Sequence, residues 1–158
     1  MNDKVISVLI PVFGGEKFIA RAIESVLGQT YPFVELIIVD DGSPDNSSKI
    51  IERYTSDPRI SYIRQSNLGV AAARNAALAI AKGDFIGLCD QDDEWLPQKA
   101  EKQIALFEAD PSLGLIHGDV DYIDARGEAL PHDKYFPAAV AGRCFARIYL
   151  SLIHISLQ

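Results

Sequence analysis

Two acidic clusters each close an apolar run, and their residue types set what chemistry the chain can support. One is Glu35-Leu-Ile-Ile-Val-Asp-Asp-Gly-Ser43; the other is Asp84-Phe-Ile-Gly-Leu-Cys-Asp-Gln-Asp-Asp-Glu-Trp95. Carboxylates this close repel one another and stay ionised most easily beside a cation, most simply a hard divalent ion that carries a phosphate ligand. A carboxylate just past a strand, such as Asp40 or Asp41, can accept hydrogen bonds from a nucleobase edge. Uracil, thymine and guanine offer a ring N–H to such an acceptor, whereas cytosine presents a lone pair. Phe13 would supply an apolar face for stacking. Asp90 and Asp92 are alternate residues, which lie on the same side at a strand end and can approach one ion and its diphosphate. Oxygen-only ligands favour Mg²⁺ or Mn²⁺ over Zn²⁺. The competing readings are plain ones. Asp-Asp-Gly-Ser can form a turn that caps the next helix, the second cluster can be an acidic turn without a metal, and Arg74 can be a surface residue.

The elements that must position these residues alternate along the chain. The expected strands are Val5–Pro11, Leu36–Val39, Ile60–Arg64, Phe85–Cys89 and Leu113–His117. Phe18, Ile19, Ala22, Ile23, Val26 and Leu27 recur at helical spacing, which predicts a helix over about Glu16–Gln29. Ser43-Pro-Asp-Asn-Ser-Ser48 is rich in N-cap residues and leads into a helix through Ile50, Ile51 and Tyr54. An alanine-rich helix is expected over Gly69–Lys82 with Gly83 as its C-cap, and another over Pro97–Glu108. Val120–Ile123 and the residues from Glu128 are expected to pair across Asp124-Ala-Arg-Gly127. Such alternation implies an α/β fold with a doubly wound, mainly parallel sheet. In those sheets ligands bind outside the carboxyl ends of the strands, where both acidic clusters sit.

Four segments carry a resemblance in series: Ile6-Ser-Val-Leu-Ile-Pro-Val-Phe13, Val39-Asp-Asp-Gly-Ser43, Asn67-Leu-Gly-Val-Ala-Ala-Ala-Arg-Asn75 and Asp90-Gln-Asp-Asp-Glu-Trp95. Together they resemble family 2 glycosyltransferases, sugar-nucleotide enzymes of the Rossmann-like GT-A fold, from about Val5 to Asp124. The resemblance implies a nucleotide site formed by Pro11, Phe13, Asp41, Asn67, Arg74 and Asp90. Asp41 would read the base, Asp90 would lie near the ribose, Arg74 would reach the base or diphosphate, and Asp92 would hold Mn²⁺ or Mg²⁺. It further implies metal-dependent, inverting transfer from a nucleotide-diphosphate sugar, UDP- or dTDP-linked first, to a glycan or lipid-linked acceptor. The family usually has tyrosine and asparagine where Phe13 and Gly14 stand. Its general base lies in the later half of the domain, so the base is expected beyond residue 158. Donor binding without turnover, a non-catalytic sugar-nucleotide-binding module, is the alternative.

Composition is compatible with that reading. The chain has 158 residues, enough for one domain, and 48% apolar content supports a core. No apolar run is long enough to span a membrane, and Met1-Asn-Asp-Lys shows no signal-peptide pattern. Cys89 and Cys144 give neither metal spacing nor a disulfide framework, so a cytosolic protein is expected, at most peripheral at the inner membrane face. A net charge of −7 argues against nucleic acid as a partner, and requires local positive charge wherever an anionic sugar nucleotide binds. His117, Asp119 and Asp121 read as the polar face of an edge strand before they read as a metal site, and Trp95 as a packing anchor. Arg64-Gln65 after the third strand disfavours a phosphoreceiver, and Gly14-Gly15 is too little glycine for a dehydrogenase turn. Leu150-Ser-Leu-Ile-His-Ile-Ser156 fits no part of the family pattern and equals one reading frame of the transposon end used in sequencing libraries. Residues 1–149 are therefore expected to be the donor-binding part, and 150–158 a non-native tail after which the gene continues.

Overall fold

The computed structural model describes residues 4–118 and 121–129. The expectations for Asp119, Cys144 and the tail from Leu150 lie outside the described residues. Eight elements follow one another: β1 (Ile6–Val12), α1 (Ile19–Leu27), β2 (Val34–Asp40), α2 (Ser47–Glu52), β3 (Ile60–Arg64), α3 (Val70–Leu78), β4 (Phe85–Leu88) and α4 (Lys99–Ala109). The four strands pair in parallel in the order β3-β2-β1-β4. This is the α/β, doubly wound sheet that strand–helix alternation predicts.

The two central strands explain the continuous apolar runs, because each is covered on both faces. Ile6, Val8, Ile10 and Val12 of β1, with Val34, Leu36 and Ile38 of β2, pack into one core together with Ile19, Ile23 and Val26 of α1, Ile51 of α2 and Ile104 of α4. Leu9, Ile37 and Val39 point the other way and pack with Ala73 and Ala77 of α3. Small alanines let α3 sit close to the sheet, and that face carries the candidate site. In α1, Ile19, Ala22, Ile23 and Val26 are buried, the one-face spacing of an amphipathic helix.

Two expectations are corrected. Gly83 does not cap α3, which ends at Leu78 with Ala79 as its C-cap. Ile80 and Ala81 N–H still reach the carbonyls of Ala77 and Leu78, and the donors then turn to tertiary acceptors: Lys82 N–H to Glu35 Oε2 (3.1 Å) and Gly83 N–H to Ser7 Oγ (2.8 Å). Gly83 serves close approach instead, since a Cβ there would lie 2.6 Å from the Ser7 backbone nitrogen. The second correction concerns Leu113–His117. This segment pairs with no strand among the described residues, bends at Gly114, and so forms no strand there. Downstream, Ile123 does bridge Ala129 in antiparallel fashion, and Gly127 N–H closes the Asp124 turn at 2.9 Å.

Candidate functional site

The chain passes from β1 through β2 to β3 on one side, then crosses back to place β4 on the other side of β1. That reversal opens a crevice at the carboxyl ends of the strands, the usual ligand position in such sheets. A cavity of about 390 Å³ lies there, lined by the ends of β1 and β4, by α3 and by Asp41. Of the residues singled out from the sequence, it brings together Pro11, Phe13, Asp41, Arg74, Asp90 and Asp92. Asn67 is not among its lining residues. Its exposed loop contributes through backbone, whose nitrogen at Asn67 would be 2.9 Å from a Cβ on Gly42, at φ +76°.

The paired aspartates after β2 divide their work. Asp40 is fully buried and structural: its Oδ1 accepts Ser43 N–H at 2.8 Å, and its Oδ2 receives Tyr62 OH and faces Arg64 Nε at 3.4 Å. Burial, and then the Asp40 charge, push the Tyr62 phenol up to about 12. So the turn-forming reading is right for Asp40. Asp41 instead borders the cavity. Its Oδ1 accepts Leu68 N–H (2.9 Å) and Gln65 Nε2 (2.7 Å), and its Oδ2 accepts Gly69 N–H (2.7 Å). These donors, Leu68 first, hold its carboxyl below the usual carboxylate range, so it is a fixed anionic acceptor. The motif Asn67-Leu-Gly69 therefore serves this carboxylate, and Gly69 enters α3 at φ +89°.

Across the cavity, Arg74 pairs with Asp90 at 2.7 Å. The Arg74 Nε is buried and, among the described residues, without a hydrogen-bond partner. A guanidinium is a planar fork of donors whose geometry matches carboxylate or phosphate oxygens. Asp92 is exposed at the rim. Desolvation, and then the charges of Asp90 and Asp92, raise the Asp93 carboxyl. Among the described residues no group of three or more His, Cys, Asp or Glu side chains converges to cage a metal. The donor set nonetheless fits Mg²⁺ or Mn²⁺ held as these ions are beside phosphates, by one or two carboxylates with the remaining oxygens from ligand and water.

Beneath the acidic loop, Trp95 is buried, donates its backbone N–H to Ser25 Oγ at 3.1 Å and carries Lys99 5.0 Å above its ring. It is a packing anchor, and Gly87 makes room for it, since a Cβ there would meet its ring at 2.6 Å. Cys89 is buried, and burial pushes its thiol far up, as a small core residue. Asp121 is exposed, and no metal grouping includes it or His117 among the described residues. Two site residues escaped sequence reasoning: Gln65, which holds Asp41, and Gln91, whose amide pairs with the Phe13 backbone. For Gln91 the available signal was a carboxamide lodged between two carboxylates in sequence; Gln65, between Arg64 and Ser66, offered none.

A four-stranded parallel sheet with an acid-lined crevice at its switch point defines an α/β domain of the doubly wound class. The chain belongs to glycosyl transferase family 2, whose model matches residues 7–153. It is 34% identical over 134 residues to chondroitin synthase of Escherichia coli, a match covering 84% of this chain and 20% of that protein. Among solved structures it is similar to Staphylococcus aureus TarS 1–349 in complex with UDP, with TM-score 0.63 and 28% identity over 66% of this chain and 32% of that one. The mannosyltransferase PcManGT of Pyrobaculum calidifontis, solved with GDP-Man and Mn²⁺, shares the fold at TM-score 0.63 and 24% identity, over 70% of this chain and 34% of that one. Across three curated relatives the chain spans between 20% and 52% of their length. No helix among the described residues is long and apolar enough to cross a membrane.

Proposed function

We propose that this chain is the donor-binding part of a metal-dependent, inverting glycosyltransferase that takes a sugar from a nucleotide-diphosphate donor to a glycan or lipid-linked acceptor. The observation that carries the reading is the single cavity shared by Phe13, Asp41, Arg74, Asp90 and Asp92. Family membership and the likeness to TarS, a protein solved with UDP, support it. Asp41 is held ionised and offers acceptors only, so it suits uracil, thymine or guanine and disfavours cytosine. Phe13, half exposed at the cavity mouth, gives the base an apolar face. Arg74 releases one arm from Asp90 and takes a phosphate oxygen, so its charge serves the ligand without entering the site anew. Asp90 lies near the ribose, and Asp92 would hold Mn²⁺ or Mg²⁺, which when bound acts as a Lewis acid on the leaving diphosphate. The general base is proposed to lie in the part of the family domain beyond residue 158.

The test is the melting temperature of the chain with UDP, dTDP, GDP and CDP, each with and without Mn²⁺, beside Asp92→Ala. A ligand at about a hundred times its Kd stabilises by roughly 2.7 kcal/mol, or about 5–10 °C here. One or more of the first three should stabilise only with Mn²⁺, CDP should not, and Asp92→Ala should erase the shift. A folded chain indifferent to all four would sink the reading. Turnover by a longer form would remove the alternative of a non-catalytic module.

A further inference from the structure

We infer that Gln91 is a positioning residue that couples nucleobase binding to the acidic loop. The inference rests on the donor-site reading above and adds a residue to it. Backbone pairing between β1 and β4 stops at Leu9 and Leu88, with one more bond from Cys89 N–H to the Leu9 carbonyl (3.2 Å). Beyond that point the two chains diverge, yet Phe13 is still held. Its N–H donates to Gln91 Oε1 at 2.8 Å, and its carbonyl accepts Gln91 Nε2 at 3.2 Å. A carboxamide places a donor beside an acceptor as a peptide group does, so this side chain resumes the ladder where backbone no longer can.

The rest of the loop is fastened from the opposite side. Gly14 N–H donates to Ser43 Oγ (3.1 Å) and Gly15 N–H to Ser47 Oγ (2.9 Å). With Glu16 N–H on Asp45 Oδ2 (3.0 Å), four successive backbone donors are claimed by side chains, and among those four bonds in the described residues Gln91 is the only claimant from the acidic loop. Gly15 is part of the arrangement, because a Cβ there would sit 2.8 Å from Gln91 Oε1. Phe13 is 49% exposed, so its place at the cavity is set by its backbone more than by packing. Gln91 stands between Asp90 and Asp92 in sequence. Movement of those carboxylates on taking up a cation and diphosphate therefore passes through one amide to the base-stacking ring.

Two probes separate the halves of the site: inorganic pyrophosphate with Mn²⁺, which lacks a base, and UDP with Mn²⁺, with dTDP and GDP in parallel. Their Kd values are measured for the wild-type chain, Gln91→Met, Gln91→Glu and Gly15→Ala. Gln91→Met, similar in length but without the hydrogen bonds, should weaken nucleotide binding about tenfold and leave pyrophosphate binding within about twofold. Gly15→Ala should reproduce that split by displacing the amide, and Gln91→Glu, which can accept from Phe13 N–H but sets a carboxylate oxygen against the Phe13 carbonyl, should weaken nucleotide binding at least as much as Gln91→Met. Equal weakening of both probes, or no weakening of either, overturns the coupling while the donor site stands. A wild-type chain that binds no nucleotide overturns both.

Discussion

Adjacent residues of one type do opposite work in this site. Asp40 and Asp41 share a motif, but a strand sends successive side chains to opposite faces, so one is buried under Tyr62 and Arg64 and the other borders the cavity. Asp41 accepts three hydrogen bonds on two oxygens. In Asp41→Asn one of those oxygens becomes an amide that faces a donor, so the 65–69 loop loses a partner and the acceptor proposed for the base is lost with it. Nucleotide affinity should drop by about tenfold or more, and amide exchange at Leu68 and Gly69 should accelerate; unchanged exchange would mean the carboxylate does not hold the loop. Arg74→Lys keeps the charge but not the fork that spans Asp90 and a phosphate. It too should weaken UDP binding by about tenfold in calorimetry, and near-wild-type affinity would remove Arg74 from the phosphate site.

At the scale of elements, glycine position governs how closely loops approach strands. The segment between α3 and β4 lies directly on β1, with Gly83 N–H on Ser7 Oγ and that hydroxyl donating to Glu35 at 2.6 Å. A methyl group at Gly83 meets backbone atoms of Ser7 and Val5, which cannot rotate away. Gly83→Ala should therefore cost about 1–3 kcal/mol in urea denaturation. Gly114→Ala is the control, since nothing lies within 4 Å of its added Cβ, and it should stay within about 0.5 kcal/mol. Similar losses in both would show that close packing at β1 is not the cause.

At the scale of the molecule, an anionic ligand approaches a chain of net charge −7, into a cavity where Asp41, Asp90 and Asp92 face one arginine. Without a divalent cation, repulsion dominates, and it is long-ranged enough for salt to screen. Raising NaCl from about 20 to about 200 mM should strengthen metal-free UDP binding and narrow its gap to binding with Mn²⁺. If metal-free affinity falls instead, local attraction by Arg74 outweighs the global field.

The sheet and the family were legible from local pattern: aliphatic runs such as Leu36–Val39 fit a strand covered on both faces, and four motifs in series fell on β1, the ends of β2 and β4, and the start of α3. Tertiary structure alone decided which aspartate turns to the cavity, that Gly83 serves contact with β1, that Leu113–His117 finds no strand partner among the described residues, and that Gln91 works on Phe13. Those outcomes depend on pairings between distant positions, 76 residues for Gly83 with Ser7 and 78 for Gln91 with Phe13. Local pattern reports what a segment prefers; it carries no term for the neighbour that the parallel crossover brings beside it.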